Sequence, residues 1–386
     1  MPWQEVNTVD LRAEFVALAK SGGLSHSELC RRFNISRKTG YKWLRRFERE
    51  GQPGLSDRSR RPHHSPRRTA SEVEQRVVAL RQRFPDWGGR KLERLMCNDG
   101  YRRVPRPSTI TDILRRHDAL HPGSEPPAPN FIRFEHPHPN DLWQMDFKGD
   151  FALARGRCHP LTVLDDHSRF ALCLAACPNE RQGTVKACLV ATFSHYGLPL
   201  RMSMDNGPPW GCSHSPRLTE LTAWLIEQGV GVTHSRPYHP QTQGKDERFH
   251  RTLEAELLGR RTFTDHAACQ RAFDPWRQRY NTVRPHEALD QDTPLQHYQP
   301  SPRPYQPQRP PYEYAPGDHV RKVNRCLDVS FKGRQLYIGM ALRGKYVALR
   351  PTTRDGVYTI HYCHQQIGKV DFNNLPKGTC WADKGR

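Results

Sequence analysis

The sequence lacks the features of a membrane or secreted protein. No apolar run in its 386 residues is long enough to span a bilayer, and the N-terminus carries no apolar signal segment. Its 11 Cys are scattered without a C-x-x-C pair, which argues against a disulfide framework and against a structural zinc site. Hydrophobic residues make up 35% of the chain and Pro is frequent at 33 residues, so we expect several compact domains joined by open connectors in a cytoplasmic protein.

Positive charge is abundant, with 60 Lys and Arg against 40 Asp and Glu and a formal net charge of +20. A field of this sign attracts polyanions, of which nucleic acids are the commonest, although a basic protein that is merely soluble is the alternative. Residues 31–68 hold thirteen Lys and Arg against three Asp and Glu. This proline-broken tract predicts an arm that lies along DNA. In a bacterium we expect such a protein to be associated with the nucleoid.

Residues 1–55 have the pattern of a helix-turn-helix DNA-binding domain. Ser25 and Glu28 form a capping box that opens the second helix, and Ser36 caps a third, basic helix. An ordinary solvated basic helix is the alternative. The predicted DNA contacts lie on the third helix and on the arm that follows it: Arg37, Lys38, Lys42, Arg45, Arg49, Arg58, Arg60 and Arg61.

A basic linker at 56–70 leads to a second helical unit at 71–120. Ser71-x-x-Glu74 has the form of a capping box, and Trp87-Gly88-Gly89 opens the next helix. This unit is either a second helix-turn-helix domain that binds DNA or a helical spacer that contacts no bases. A proline-rich linker at 121–139 follows.

Residues 140–300 change to alternating strand and helix patterns. Three strands come first, followed by a helix, a strand at Met202–Met204, a helix that begins at Pro216, a strand at 230–234 and a helix that begins at Gly244. This order predicts an α/β core built on a mixed five-stranded sheet.

The C-terminal part begins with a linker at 301–314, after which short strands alternate with glycine turns at 315–375. This pattern predicts a small β-barrel. Its cations suggest a non-specific DNA or subunit contact, and a purely structural cap is the alternative. The cations concerned are Lys322, Arg325, Lys332 and Arg334.

Three acids of the α/β core suit phosphoryl transfer. Asp146 lies on the first strand, Asp205 ends the fourth, and Glu247 lies in the first turn of the helix after the fifth. Cutting or joining a phosphodiester requires charge neutralisation and an activated hydroxyl or water, and two divalent ions held by carboxylates supply both. Taken singly, each acid has a structural interpretation: pairing within a strand, an Asx turn and a solvated helix start. Their order and setting favour the catalytic interpretation.

Other acids in this region are interpreted as structural. Asp165 and Asp166 are adjacent on a turn between strands, where we expect a neighbouring Arg to pair with them. Asp246 points about 100° away from Glu247 around the helix, so both cannot face one metal. Glu254 lies two turns farther along the helix axis.

The neighbourhood of Glu247 also carries groups that can contact DNA. Gln241 and Gln243 lie in a loop from which they can reach bases or phosphates, and Arg251 follows Glu247 by one turn. For Lys245 a solvated charge is the default expectation.

Four ordered blocks resemble those of a known family, the DDE transposases of the insertion-sequence 481 family, which share a ribonuclease-H-like core with retroviral integrases. The resemblance covers about residues 20–300. The blocks are Trp-Gln-Met-Asp-Phe-Lys-Gly at 143–149, Met-Asp-Asn-Gly-Pro-Pro-Trp at 204–210, Tyr-His-Pro-Gln-Thr-Gln-Gly-Lys-Asp-Glu-Arg at 238–248 and Arg-Pro-His-Glu-Ala-Leu at 284–289. In the last block, Arg284 and His286 either orient the site or stabilise the turn at Pro285.

The resemblance implies a transposase that cleaves and joins DNA at the terminal inverted repeats of a mobile element. It implies Asp146, Asp205 and Glu247 as catalytic acids that hold Mg²⁺ or Mn²⁺, with two ions expected. Because two DNA ends must be held together, a homodimer or higher oligomer is also implied. Two alternatives stay open, a DNA-binding regulator with an inactive core and a ribonuclease-H-like nuclease that hydrolyses DNA without joining it.

Overall fold

The computed structural model describes residues 7–59, 68–120, 135–211, 218–234, 244–374 and 380–381. The chain divides into two compact units, Met1–Thr69 and Ala70–Arg386. None of the helices in the described ranges is long and apolar enough to cross a membrane. Several predicted features lie outside the described residues, namely Arg60, Arg61, Pro216, Gln241 and Gln243.

Three α-helices form the first unit: α1 (Thr8–Ser21), α2 (His26–Arg32) and α3 (Arg37–Glu50). Each begins where a side chain of Asn7, Ser25 or Ser36 accepts a hydrogen bond from the first-turn backbone. The helices bury a small apolar core that includes Trp43. The predicted helix-turn-helix arrangement is confirmed.

Three further helices begin the second unit: α4 (Ser71–Arg83), α5 (Gly89–Asn98) and α6 (Pro107–Arg116). The capping box predicted at Ser71 is wrong, because α4 begins after Ala70 with no capping hydrogen bond from that residue's side chain. Glu74 is instead buried against α6, where it pairs with Arg116 at 2.7 Å and lies 3.3 Å from His117. A buried carboxylate requires such donors, and that requirement outweighs the local capping signal.

Six strands form the central sheet: β1 (Leu142–Phe147), β2 (Phe151–Ala152), β3 (Arg157–Asp165), β4 (Ala171–Cys177), β5 (Arg201–Met204) and β6 (Gly231–His234). The main order is β4-β3-β1-β5-β6, with β1 antiparallel to β3 and parallel to β5. The mixed sheet is therefore observed with its five predicted strands. The sixth strand, β2, extends the β1–β3 hairpin by two residues, which is too short to produce a sequence period.

The helices of the core cover both faces of this sheet. They are α7 (Gln182–Tyr196), α8 (Glu220–Glu227), α9 (Gly244–Glu256), α10 (His266–Thr282) and the short α11 (Pro294–His297). Trp143 and Met145 of β1 pack into the apolar cluster that includes α7 and α8. On the other side, Phe249 of α9 and Phe273 of α10 pack together against the sheet, and Asp146 alternates with Met145 along β1.

The C-terminal strands are β7 (His319–Lys322), β8 (Asp328–Phe331), β9 (Arg334–Tyr337), β10 (Tyr346–Pro351), β11 (Val357–Tyr362), β12 (Gln365–Asp371) and β13 (Cys380–Trp381). They form two open sheets, β12-β11-β10-β7 and β13-β9-β8, so the predicted closed barrel is not observed in the described residues. Strand alternation predicted β7, β9, β10 and β11 but not β8, β12 and β13. Closure depends on which edges pair, and alternation does not determine that.

Candidate active site

Asp146 lies near the end of β1, opposite Thr162 of β3. Thr162 Oγ1 donates a hydrogen bond to the Asp146 carbonyl oxygen at 2.9 Å and lies 2.8 Å from His250 Nε2 of α9. Burial lowers the pKa of His250 to about 4, so the ring is neutral at pH 7 and its Nε2–H donates to Thr162. These two hydrogen bonds join β1, β3 and α9 next to the backbone of Asp146.

The three predicted acids are linked electrostatically at Asp146. Burial, followed by the charge of Asp205 and then by the charges of Glu180 and Glu247, raises the pKa of Asp146 to about 7. Charges act in this way only over short range in a protein, so Asp205 and Glu247 lie close enough to Asp146 to interact with it electrostatically. A partly buried carboxylate surrounded by like charges favours a bound cation.

Asp205 directly follows β5 in a tight turn. Its Oδ1 accepts the Gly207 N–H at 3.0 Å and also the indole N–H of Trp210. Trp210 is buried and stacks on Phe147 of β1, with ring centroids 5.3 Å apart. The Asx turn considered from the sequence is thus present, and it holds the carboxylate in place next to β1. A Cβ at Gly207 would lie 3.0 Å from Asp205 Oδ2, so a larger residue there would press against the carboxylate.

Glu247 lies in the first turn of α9 and is exposed, whereas its neighbour Asp246 is fully buried. The two side chains therefore point in different directions, as the helical geometry predicts. Neither oxygen of Asp246 has a hydrogen-bond partner among the described residues. Burial, followed by the charges of Asp146 and Asp166, raises the pKa of Asp246 well above its usual range.

Lys245, in the same turn, is not a solvated charge, and that expectation is wrong. Its Nζ lies 2.5 Å from Asp166 Oδ1 and donates to the Asp166 carbonyl oxygen at 2.9 Å. Asp166 also accepts the side-chain N–H of Gln144 at 2.7 Å. The clamp holds the first turn of α9 against the turn after β3.

The remaining acids of this region have structural partners. Asp165 Oδ1 accepts both the backbone N–H and the hydroxyl of Ser168. Arg169 binds the carbonyl of Asp166 and pairs with Glu135 at 2.8 Å, so it does not pair directly with either carboxylate of the turn. Glu254 pairs with Lys148 at 2.5 Å.

The sequence did not single out three residues that support the acids, namely Thr162, Trp210 and His250. Trp210 lies within a block that carries the family resemblance, which is a signal for it. For Thr162 and His250 the sequence offers no such signal, since their contacts connect elements far apart in the chain.

The three acids form a candidate donor set for a divalent metal. Within the described ranges no three His, Cys, Asp or Glu side chains are gathered closely enough to hold an ion. The chemistry of the set nevertheless fits a hard cation, because all three donors are carboxylates and their charges raise the pKa of Asp146. Which acids bind the metal therefore stays a prediction.

The predicted DNA-binding residues of α3 are all exposed. They are Arg37, Lys38, Lys42, Arg45 and Arg49. Arg58 pairs with Glu50 at the end of α3, and Arg251 is exposed on α9. Their contact with DNA stays a prediction.

Arg284 and His286 contact residues near the ends of α9 and α10. Arg284 Nε donates to Glu256 Oε1 at 2.9 Å, and His286 is buried with its ring against Tyr280. Both residues therefore support the far end of α9 and the segment that follows α10.

Family profiles match the chain in sequence order. A helix-turn-helix domain matches residues 11–63 and a homeodomain-like domain matches 39–114. Two integrase core domain profiles match 136–240 and 228–294, and the IS481 family transposase C-terminal domain matches 318–376. These matches confirm the resemblance to IS481-family transposases with an integrase-type core.

Curated relatives are similar over part of their length. An uncharacterized 39.2 kDa protein of insertion element IS476 from Xanthomonas euvesicatoria is 28% identical, over 41% of this chain and 44% of that protein. An uncharacterized 31.7 kDa protein of insertion element IS407 from Burkholderia multivorans is 29% identical, over 39% of this chain and 53% of that protein. The chain thus spans about half the length of the curated relatives that it matches.

Among solved structures, a chain from the simian T-cell lymphotropic virus intasome in complex with PP2A regulatory subunit B56 gamma is 17% identical. The similarity covers 75% of this chain and 97% of that one, with a TM-score of 0.37. A TM-score of this size adds nothing to what the site itself supports.

Proposed function

We propose that this protein is a transposase that cleaves DNA at the terminal inverted repeats of a mobile element and joins the freed 3′ ends to target DNA. The observation that carries the proposal is the coupling at Asp146, whose pKa is raised by burial and by the charges of Asp205 and Glu247. The integrase core and IS481 transposase matches support the same chemistry.

Asp146, Asp205 and Glu247 would hold Mg²⁺ or Mn²⁺, and we propose two ions. Bound there, the metal would neutralise phosphate charge and activate water and then a 3′-hydroxyl. The chain's own residues position the acids. Thr162 and His250 fix the backbone at Asp146, Trp210 and the Gly207 N–H orient the Asp205 carboxylate, and the Lys245 clamp holds the turn that carries Glu247.

DNA is the proposed partner of both helical parts. We propose that residues 1–55 and 71–120 bind the terminal repeats, and that 315–375 contact DNA or a neighbouring subunit. Since two ends must be joined in one reaction, the active form is a dimer or higher oligomer. In a bacterial cytoplasm such a protein would lie on the nucleoid.

A strand-transfer assay tests the proposal. A radiolabelled repeat end with a free 3′-hydroxyl, incubated with the protein, a target plasmid and Mn²⁺, yields labelled plasmid if the protein joins ends. Cleavage of an unprocessed repeat end without joining of the processed end would identify a nuclease, whereas repeat binding without either reaction would identify a regulator. The matched control is the Asp146→Asn variant, which removes one carboxylate and keeps the size of the side chain.

A further inference from the structure

Glu256, the last residue of α9, is a buried carboxylate shared by two parts of the second unit. Its side chain is 7% exposed. Oε1 accepts the indole N–H of Trp87 at 3.1 Å and Nε–H of Arg284 at 2.9 Å, and Oε2 accepts the indole N–H of Trp276 at 3.2 Å. Trp87 belongs to the α4–α6 module, whereas Trp276 and Arg284 belong to the core.

Apolar packing surrounds this carboxylate on the module side. Trp87 is 1% exposed and stacks on Phe84 with ring centroids 4.1 Å apart. Val283 of the core packs against the apolar cluster of α4–α6. Lys91 of α5 is half-buried near Arg284 and Glu256, and its desolvation there lowers its pKa to about 7.

Ion pairs between module and core form the rim of this contact. Each pair joins one residue of the 86–94 segment to one residue of the 260–292 segment. They are Asp86 with Arg260, Arg90 with Glu287 and Arg94 with Asp292. Exposed ion pairs of this kind add little to the free energy of unfolding. Together with the buried Glu256 carboxylate, however, they favour one orientation of the module on the core.

A buried carboxylate with three hydrogen-bond donors contributes more to the orientation of the two parts that it joins than to the stability of their contact. An apolar group of similar volume would stabilise such a contact at least as well, because burying a charge carries a desolvation penalty. Three donors from two parts of the chain instead require each part to present its N–H group in a fixed direction. The contact is therefore suited to hold α4–α6 at one position on the core.

We call Glu256 and its three donors, Trp87, Trp276 and Arg284, the latch between module and core. Glu256 lies on α9, the same helix as the proposed catalytic acid Glu247. Glu247 and Glu256 lie nine residues apart on α9, which corresponds to about 13 Å along its axis. The α4–α6 module carries exposed cations just ahead of α6, the third helix of the unit: Arg102, Arg103 and Arg106. Because α9 is rigid over this length, DNA held by these cations lies at a set distance from Glu247.

We propose that Glu256 is a positioning residue, and that through it α4–α6 sets the distance between the bound DNA sequence and the scissile phosphate. The module would bind repeat DNA, and the Glu256 latch would place the scissile phosphate a fixed number of base pairs from the bound sequence. The inference rests on the proposed function. It assigns roles to Trp87 and to the Arg284 block that are separate from the chemistry at the acids.

Nucleotide-resolution mapping of cuts on a labelled repeat end tests this proposal. The variants are Glu256→Gln, which leaves the indole N–H of Trp276 facing an amide N–H, and Trp87→Phe, which removes one donor and keeps an aromatic ring. Both should bind the repeat within about twofold of the wild type. They should spread the cut over several nucleotides and lower cleavage at the wild-type position by about tenfold or more.

The control is Asp99→Asn, which removes the exposed ion pair with Arg76 inside the module and leaves the latch intact. It should cut at the wild-type position. If Glu256→Gln fails to fold by circular dichroism, Trp87→Phe decides the matter. If a folded Glu256→Gln or Trp87→Phe variant cuts only at the wild-type position, the positioning role of Glu256 is overturned and the proposed function stands. A wild-type protein that cuts no repeat overturns both.

Discussion

Lys245 Nζ lies 2.5 Å from Asp166 Oδ1, so the first turn of α9 is tied to the turn that follows β3. Asp166 is 1% exposed at its side chain and Lys245 is 16% exposed. The exposed Glu247 is two residues from Lys245 in the same turn. The pair therefore limits how far the carboxylate of Glu247 can move from Asp146.

Removing this cation should destabilise the core. Lys245→Met leaves the buried Asp166 without its charge partner, which costs about 3 kcal/mol in the free energy of unfolding. Asp166→Asn in the same chain should restore part of that loss, because the two sites are coupled. Chemical unfolding of the single and double variants measures the coupling. Arg251→Met, which removes an exposed charge of the same helix, is the control and should change little. Independent, additive effects would contradict the clamp.

Metal binding should depend on pH through Asp146. Its pKa of about 7 results from burial and the charge of Asp205, so the carboxyl is largely protonated below that pH. Since the folded-state pKa is raised, Asp146 destabilises the metal-free fold increasingly as the pH rises from about 4 to about 7. Mn²⁺ affinity should rise about tenfold per pH unit up to about 7 and then level off.

Calorimetric titration of Mn²⁺ between pH 5.5 and 8 checks this dependence. In Asp205→Asn the loss of a neighbouring charge should lower the pH at which the affinity levels off, although the affinity itself falls. An affinity that does not vary over this range would show that Asp146 is not a ligand.

Repeat recognition should depend on α3. Arg45 is exposed on that helix, and Arg45→Ala should weaken repeat binding whether the guanidinium contacts a base or a phosphate. The affinity should fall steeply with salt, since counterions are released from the DNA. Fluorescence anisotropy of the full chain with repeat and random duplexes measures both effects. Equal affinity for the two duplexes at physiological salt would refute specific recognition.

The C-terminal sheets should stabilise the edge of the central sheet. Gln365 of β12 accepts the N–H of Val232 at 2.7 Å and donates to its carbonyl at 2.9 Å, and Val232 lies on the edge strand β6. Gln365→Leu should cost about 1–3 kcal/mol, because both groups of Val232 lose their partner. The exposed neighbour offers the matched control, Gln366→Leu, which should have little effect. Equal unfolding midpoints for the two variants would contradict the contact.

Local patterns predicted the helices of both helical parts, the five main strands and the elements on which the three acids lie. Capping residues such as Ser25 and Ser36, and the alternation in β1, depend on neighbouring residues and can be read from the sequence. Contacts between residues far apart in the chain cannot be predicted in this way. Glu74 pairs with Arg116 and does not cap the start of its own helix. Lys245 binds Asp166, which is 79 residues away in the sequence.

The central claim concerns one unit of three carboxylates, and strand transfer of a labelled repeat end in Mg²⁺ or Mn²⁺ tests it most directly. Asp146→Asn, Asp205→Asn and Glu247→Gln should each abolish cleavage and joining, while repeat binding in the same preparations is unchanged. Double variants should be no worse than single ones, because the acids act together. Glu254→Gln, which alters only the pair with Lys148, should retain substantial activity. Wild-type strand transfer by Glu247→Gln together with an inactive Glu254→Gln would contradict the assignment, and activity in all three principal variants would contradict the mechanism.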